Sequence, residues 1–229
     1  MTAFRRYVFA YAESNMYVFC ENESALVIDP NVCEEALAYL KENNVREITV
    51  LLTHEHYDHT SGLTWLMQHF NGNVVCHEET ADSLRNGRNN RPLVIAANRM
   101  GRLSGDEVKA LARSLPQGYR YDPQVTFVAE YAFMWQGHAV RLKHCPGHSR
   151  GSCCIELGGG ASVACGVIAT GDSLIRNTPV ITRFRGGSEK DYTAVTLPYL
   201  KQIDGDTLIL PGHGEPFYMK EERGLYEED

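Results

Sequence analysis

Residues 53–62 read THEHYDHTSG and follow directly after the apolar run ITVLL. Within them, three histidines and an aspartate fall in six consecutive positions: His54, His56, Asp58 and His59. The preceding run is rich in β-branched residues, which predicts a buried strand that ends where this cluster begins. Imidazole and carboxylate groups are common protein ligands of divalent cations, so the stretch predicts a metal site.

The spacing inside this stretch favours two metal ions over one. His54 and His56 have the same parity along the chain and can point at one ion. Asp58 and His59 lie past them and can turn to a second ion. A single tetrahedral site would be crowded by all four side chains.

Further candidate ligands follow three later predicted strands. The loop HCPGHSRGS offers His148, the loop ATGDSL offers Asp172, and the loop LPGHGE offers His213. In each loop a glycine stands next to the candidate ligand, and Gly171 in particular would allow a close backbone approach. We therefore expect the four loops to converge at one end of a sheet.

Together these motifs resemble the metallo-β-lactamase superfamily, in its glyoxalase II-like (hydroxyacylglutathione hydrolase-like) branch. The resemblance covers residues 16–215, and its fold is an α/β four-layer αββα sandwich with metal ions at one edge. The residues that match the family pattern, in its order, are His54, His56, Asp58, His59, His148, Asp172 and His213.

The resemblance also implies a role for each of these positions. His54, His56 and His148 would hold the first metal ion. Asp58, His59 and His213 would hold the second, and Asp172 would bridge both ions. The cofactor implied is a pair of divalent ions, zinc first and iron or manganese as alternatives. A hydroxide held between them, at a centre completed by the carboxylates of Asp58 and Asp172, would attack a thioester, an ester or lactone, or a phosphoester.

One aspartate outside this set is a candidate supporting residue. Asp29 stands at the end of the predicted strand ALVID, just before Pro30. It could orient a ligand histidine through a hydrogen bond, or it could only cap the turn.

The remaining pattern predicts strands with crossover helices in both halves of the chain. Apolar residues at helical spacing predict a helix over residues 32–43 and another over GLTWLMQHF. A third predicted helix, SEKDYTAVTLPYLKQI, contains Pro198, where we expect a kink. The second half also predicts paired strands that turn at Gln136-Gly137.

The segment 84–120 differs from both halves. It carries eight basic residues against Asp106 and Glu107, a net charge of +6 in a chain of net charge −7. We expect one domain, residues 1–229, with this segment as an inserted, partly helical cap. The cap could help to hold an anionic small-molecule substrate, or its charges could lie on a solvated helix face. Arg176, Arg183 and Arg185, which follow Asp172, are further candidates for such contacts.

Composition excludes some classes of partner. The net charge of −7 argues against nucleic acid as a partner. No apolar run reaches the roughly 18 residues that a membrane span requires, and we expect no membrane partner. The N-terminus has no signal-peptide pattern and the seven cysteines form no CxxC, which together favour a reduced, cytoplasmic protein.

Three functions remain open at this point. The leading hypothesis is a binuclear metal hydrolase; the alternatives are a persulfide dioxygenase-like oxidoreductase with one iron and a metal-binding regulator without turnover. Hydroxyacylglutathione hydrolases carry a C-terminal helical domain that the residues after His213 do not match. Glutathione thioesters are therefore less expected than other substrates. Secreted β-lactamases are expected to resemble the chain less well.

Overall fold

A computed structural model describes residues 3–9, 11–92, 104–158 and 165–222 of the protein. Two six-stranded sheets form its centre. The first sheet follows chain order: β1 (Arg5–Val8), β2 (Asn15–Glu21), β3 (Ser24–Ile28), β4 (Glu47–Leu51), β5 (Asn71–His77) and β6 (Val125–Phe127). Its first three strands pair antiparallel and its last four pair parallel, so the sheet is mixed.

The second sheet holds the C-terminal strands: β7 (Glu130–Trp135), β8 (His138–His144), β9 (Cys153–Gly158), β10 (Cys165–Gly171), β11 (Leu208–Pro211) and β12 (Phe217–Tyr218). They lie in the order β12-β11-β10-β9-β8-β7, and only β10 and β11 pair parallel. The strands predicted to turn at Gln136-Gly137 are β7 and β8, and both turn residues have positive φ.

Alternation along the strands explains why the two sheets lie face to face. In β2, Tyr17 and Phe19 point into the core between the sheets, whereas Met16 and Val18 point to the outer layer. Apolar side chains of the second sheet, including Leu142 of β8, complete the inner core. Because side chains alternate with a period of two, a strand buried on both faces needs apolar residues throughout.

Short helices cover the outer faces, which confirms the expected αββα class. They are α1 (Glu34–Glu42), α2 (Tyr57–Thr60), α3 (Leu63–Leu66), α4 (Glu78–Arg85), α5 (Gly105–Ser114), α6 (Glu189–Asp191), a π-helix (Tyr192–Thr196), α7 (Leu197–Leu200) and a 3₁₀ helix (Met219–Glu221). Helix α1 buries Ala36, Leu37 and Leu40 against the first sheet. It ends at Glu42, just before the pair Asn43-Asn44, and Asn44 has a φ of +54°.

Several elements differ from the sequence prediction. The helix expected over GLTWLMQHF is the four-residue helix α3, and the preceding helix α2 was not predicted. Helix α4 and the three-residue strand β6 were also missed. Near Pro198 the helix is continuous, but a π-helix precedes α7, in which proline stands in the first turn. Proline has no backbone N–H to donate to the helix, and the wider turn of the π-helix accommodates the missing hydrogen bond.

The expected cap lies partly outside the described residues, because residues 93–103 are not among them. Its described part contains the end of α4 and helix α5. Ser104 and Glu107 form a capping box at the N-terminus of α5. One predicted cap arginine, Arg85, is used within the fold, since it pairs with Asp82 and Asp122 at 2.8 Å each. The boundaries 84–120 and the single-domain organisation stay predictions.

None of the described helices is long and apolar enough to cross a membrane.

Candidate metal centre

The four predicted loops meet at one edge of the sandwich. Residues 53–59 follow β4 of the first sheet, whereas Asp172 and His213 follow β10 and β11 of the second. The loop with His148 joins β8 to β9, and Cys153 N donates to Thr53 O at 2.8 Å across the two sheets. Parallel strands end at the same edge, which explains why β10 and β11 deliver their loops together.

One cluster contains His54, His56 and His148, whose candidate ligand atoms all lie within 4.8 Å of one another. His148 Nε2 lies 2.9 Å from His56 Nδ1. Two unprotonated ring nitrogens at this distance repel each other, so a proton or a metal cation must share the contact.

A second cluster contains Asp58, His59 and His213. Asp58 Oδ2 lies 3.6 Å from His59 Nε2 and 3.4 Å from His213 Nε2. His59 is completely buried, whereas the other two side chains reach the protein surface.

Asp172 lies between these two clusters. Its Oδ2 is 3.5 Å from His148 Nε2 and 3.5 Å from His213 Nε2. Its Oδ1 is 3.4 Å from His59 Nε2. One carboxylate therefore reaches both groups of histidines.

Hydrogen bonds behind the rings fix which nitrogen faces the centre. Asp29 Oδ2 accepts from Thr53 Oγ1 at 2.6 Å and lies 2.9 Å from His59 Nδ1, which donates to it. Since the Thr53 hydroxyl hydrogen is committed to Asp29, its oxygen accepts from His54 Nδ1 at 3.0 Å. His148 Nδ1 donates to the carbonyl of Ile181 at 2.9 Å. All three rings therefore turn Nε2 toward the centre, which is the nitrogen that a metal ion would take.

Three buried atoms of the centre have no hydrogen-bond partner within the described part of the chain: His54 Nε2, His59 Nε2 and Asp172 Oδ1. A buried polar atom without a partner costs about 1–3 kcal/mol. Bound cations would satisfy all three atoms, and the imidazole and carboxylate donors suit zinc, iron or manganese. The residues present thus fit the metal ions that the sequence pattern implies.

Asp29 also lies close to His54 and His59 in a third possible ligand group. Its Oδ1 accepts from Thr53 N at 2.7 Å, and its Oδ2 takes the two contacts described above. Both oxygens are thus occupied, so Asp29 orients His59 and is not itself a free ligand.

The two clusters have opposite protonation tendencies. Burial lowers the pKa of His54 well below its ordinary value and that of His148 to about 4. Burial also works against the charged form of His59, but Asp58 and Asp172 outweigh it and raise this pKa well above its ordinary value. Contacts with Asp172 and Asp58 raise the pKa of His213 to about 9, again against burial. Without a metal, the second cluster therefore binds protons where a cation would sit.

Two glycines allow the loops to approach this closely. A Cβ on Gly212 would lie 2.1 Å from Asp172 Oδ1 and 2.9 Å from His59 Cε1. Gly171 has a φ of +50°, and a Cβ there would lie 2.5 Å from Thr53 Oγ1. Neither position has room for a larger residue.

The centre opens into a cleft of about 1090 Å³. Metal-cluster residues form part of its wall, and the apolar side chains Ile175, Ile181 and Phe184 form another part. The Phe184 ring centroid lies 5.9 Å from that of His56. Sequence reasoning missed these apolar residues, because an isolated Ile or Phe in a loop carries no site signal.

The three arginines that follow Asp172 and were expected near the substrate lie in different surroundings. Arg185 lines the cleft, but Arg176 pairs with Glu221 at 3.0 Å, and Arg183 is not part of the cleft wall. Tyr57 lines the cleft and also packs with Phe9 and Leu115.

Comparison with known proteins decides the family. The family model described as the metallo-beta-lactamase superfamily matches residues 12–213, most of the chain. The chain belongs to the metallo-β-lactamase superfamily. The uncharacterized protein ML0493 of Mycobacterium leprae is 28% identical over 225 residues, which cover 92% of this chain and 91% of that protein. A hydroxyacylglutathione hydrolase of Nitrosomonas eutropha is 35% identical, but over only 61 residues, 27% of this chain and 24% of that enzyme.

Several solved structures share the fold at low identity. The BLEG-1 B3 metallo-beta-lactamase is 22% identical with a TM-score of 0.73, over 96% of this chain and 95% of that chain. ETHE1 from Myxococcus xanthus is 17% identical with a TM-score of 0.66, over 96% and 81%. TTHA1623, solved in a di-iron-bound form, is 21% identical with a TM-score of 0.63, over 94% and 95%. At these identities the likeness shows the shared fold and assigns no activity to this chain.

Proposed function

We propose that this metallo-β-lactamase superfamily member is a hydrolase with a binuclear metal centre that cleaves a thioester or a related acyl ester. His54, His56 and His148 would hold the first ion. Asp58, His59 and His213 would hold the second. Asp172 would be shared by the two groups of ligands. The structure of TTHA1623 in a di-iron-bound form supports two ions in this fold.

One observation carries the proposal: Asp172 stands between the two clusters, with its oxygens 3.4–3.5 Å from His59, His148 and His213. A carboxylate with a histidine of each cluster at the same distance suits a bridge between two cations.

Divalent cations bound here would supply Lewis acidity, by polarising the attacked carbonyl group and activating a water molecule. The chain itself contributes positioning and a proton acceptor. Asp58 and Asp172 both line the cleft and offer carboxylate oxygens that can take the proton of the attacking water. Ile181 and Phe184 form an apolar wall beside His56 and His148, against which the acyl group of a substrate can pack.

The bond class is proposed from chemistry and from partial similarity. Hydrolysis of a thioester needs water and releases a carboxylic acid and a thiol, so no further reactant is required. The segment shared with a hydroxyacylglutathione hydrolase supports a thioester, although it spans only 27% of the chain. Lactones, phosphoesters and β-lactams are the other bond types that this centre could attack.

The test is a substrate panel on zinc-, manganese- and iron-reconstituted protein. It contains an acyl thioester, a lactone, a phosphodiester and a β-lactam. We expect thioester cleavage that is lost in His56→Ala and kept in His69→Ala, which changes an exposed histidine outside the centre. Full cleavage by His56→Ala, or no cleavage of any substrate by loaded protein, would contradict the proposal.

A second candidate function is the persulfide dioxygenase-like reaction with one iron. Its support is the approach of two histidines and one carboxylate, since His148 lies 3.5 Å from Asp172 and its ring centroid is 4.9 Å from that of His54. Such a set is one that non-haem Fe(II) oxygenases use. The fold similarity to ETHE1 is consistent with it. Oxygen consumption with a glutathione persulfide, by protein holding one iron per chain, would favour this candidate.

A further inference from the structure

Four arginines line the cleft from three separate parts of the chain. Arg88 and Arg91 lie in the segment that follows α4, Arg150 lies two residues after His148, and Arg185 follows Phe184. Since these segments are distant in sequence, their arginines line one cleft only because the fold brings them together.

Most acidic groups of the same cleft are already engaged. Asp58 and Asp172 belong to the metal centre, and Asp82 pairs with Arg85 at 2.8 Å. Glu55 accepts from Ser149 Oγ at 2.7 Å and lies 3.4 Å from Thr80 Oγ1. These hydrogen bonds leave the charge of Glu55 in place, so Glu55 and Glu79 are the two described lining carboxylates that lie outside the metal centre and form no ion pair within the described ranges.

The four arginines, in contrast, form no ion pair with any residue in the described ranges. Their positive charge therefore exceeds the free negative charge of the cleft wall. An excess of guanidinium groups in a cleft attracts anions and raises their local concentration.

The segments that carry these arginines are held in place. Asn90 is completely buried, and its Nδ2 donates to Leu84 O at 3.1 Å and Tyr119 O at 2.8 Å. This anchors the loop that contains Arg88 and Arg91. The turn after Arg185 is fixed because Ser188 N donates to Gly147 O at 2.8 Å. The arginines thus project from anchored backbone into the cleft.

We propose that these arginines form a subsite for a phosphate group on the leaving group of the substrate. The planar guanidinium binds phosphate through paired hydrogen bonds, and several arginines together favour an anion of more than one charge. The inference rests on the proposed hydrolase function and deepens it. The acyl group packs toward Phe184 beside the metal centre, and the phosphorylated thiol carrier extends along the arginines toward the cleft mouth.

The test compares two substrates that differ only in the phosphate: S-acetylpantetheine and S-acetylphosphopantetheine. We expect a KM at least about tenfold lower for the phosphorylated thioester, the effect of one strong charge-assisted contact. In the double variant Arg88→Gln/Arg91→Gln this preference should disappear, so that both thioesters have the same KM. The matched control is Arg113→Gln/Arg120→Gln, which removes the same charge from exposed residues that do not line the cleft.

A binding measurement separates this inference from the proposed reaction. Calorimetric titration of the metal-loaded protein with inorganic phosphate should show binding that the cleft double variant weakens about tenfold and the control does not. If neither thioester is cleaved, the proposed bond class fails, and the titration alone decides the subsite. Equal KM values for both thioesters in the wild type, or phosphate binding that is the same in both double variants, would overturn the subsite.

Discussion

The carboxylate of Asp29 holds the ring of His59 from behind, with Oδ2 2.9 Å from Nδ1 and both side chains almost fully buried. The same oxygen accepts from the Thr53 hydroxyl, which in turn contacts His54 Nδ1. One buried aspartate therefore supports a histidine of each cluster, directly on one side and through a threonine on the other.

The first prediction distinguishes the direct contact of Asp29 with His59 from its indirect contact with His54 through Thr53. Asp29 has a φ of +52°, a conformation that asparagine tolerates well, so Asp29→Asn keeps the backbone. The amide cannot accept all three hydrogen bonds, and loss of such support costs about 10–100-fold in metal affinity. We expect the ion at the Asp58, His59 and His213 cluster to be lost first.

The companion variant Thr53→Val removes only the hydroxyl that reaches His54. It should weaken the ion at the His54, His56 and His148 cluster and spare the other. Competition titrations with a chromophoric chelator measure both affinities. An equal loss of affinity for both ions in both variants would contradict the separate support of the two clusters.

The second prediction concerns Gly212. A Cβ there would lie 2.1 Å from Asp172 Oδ1, so Gly212→Ala must displace the Asp172 carboxylate or the loop of His213. We expect loss of bound metal and a fall in kcat of about 100-fold or more, as misplacement by about 1 Å produces. Gly214→Ala is the control, because its Cβ would meet open space, although its φ of +80° costs stability. Gly214→Ala should keep its metal at a lower Tm, whereas a Gly212→Ala protein with full metal content would contradict the expectation.

The third prediction is that metal binding releases protons. Contacts with Asp172 and Asp58 raise the pKa of His213 from 6.5 to about 9, so at neutral pH a cation must displace its proton. Zinc affinity should therefore rise with pH up to about 9. Calorimetry in buffers of different ionisation enthalpy should show release of about one proton or more per chain at neutral pH.

The stability of the metal-free protein should change in the opposite direction. A raised pKa means that the folded state binds the proton more tightly than the unfolded state does. The contribution of His213 is complete below its ordinary pKa of 6.5 and is lost as pH rises through about 9. Urea titrations of metal-free protein should show falling stability across this window, and His213→Gln should remove the part that this residue contributes.

The fourth prediction concerns Glu55, which stands between His54 and His56 and accepts from Ser149 beside His148. This contact ties the two loops of the first cluster together. Glu55→Ala should weaken the ion of that cluster about tenfold, whereas Glu55→Gln keeps an acceptor oxygen and most of the affinity. Glu79→Ala, which removes a neighbouring cleft carboxylate, is the control. An effect of Glu79→Ala equal to that of Glu55→Ala would point to general electrostatics and against the tie.

Sequence alone predicts the layered fold and the strands that deliver the loops, because their apolar runs and glycines are local signals. It also brings the seven candidate ligands together, since each follows a strand end. The short helix α2 was missed, because its four residues, Tyr57–Thr60, show no amphipathic repeat. Helix α4 was missed because it begins directly at the end of β5, where His77 caps it with no loop between them.

The residues that line the cleft could not be predicted from the sequence. Arg150 and Phe184 approach the centre only through folding of separate loops, and no spacing in the chain links them to His56. The net charge of the basic segment pointed toward an anion site, but not to its members. Arg85 of that segment is used in structural ion pairs, whereas Arg88 and Arg91 face the cleft.

The most direct test of the binuclear centre is the metal content of protein purified without chelators, measured by inorganic mass spectrometry. We expect about two zinc, iron or manganese ions per chain, in accord with a two-metal hydrolytic centre. We also expect His56→Ala to lose the first ion. One iron per chain in the wild type, with Asp58 and His213 dispensable for binding it, would contradict the central claim and favour the mononuclear oxidoreductase.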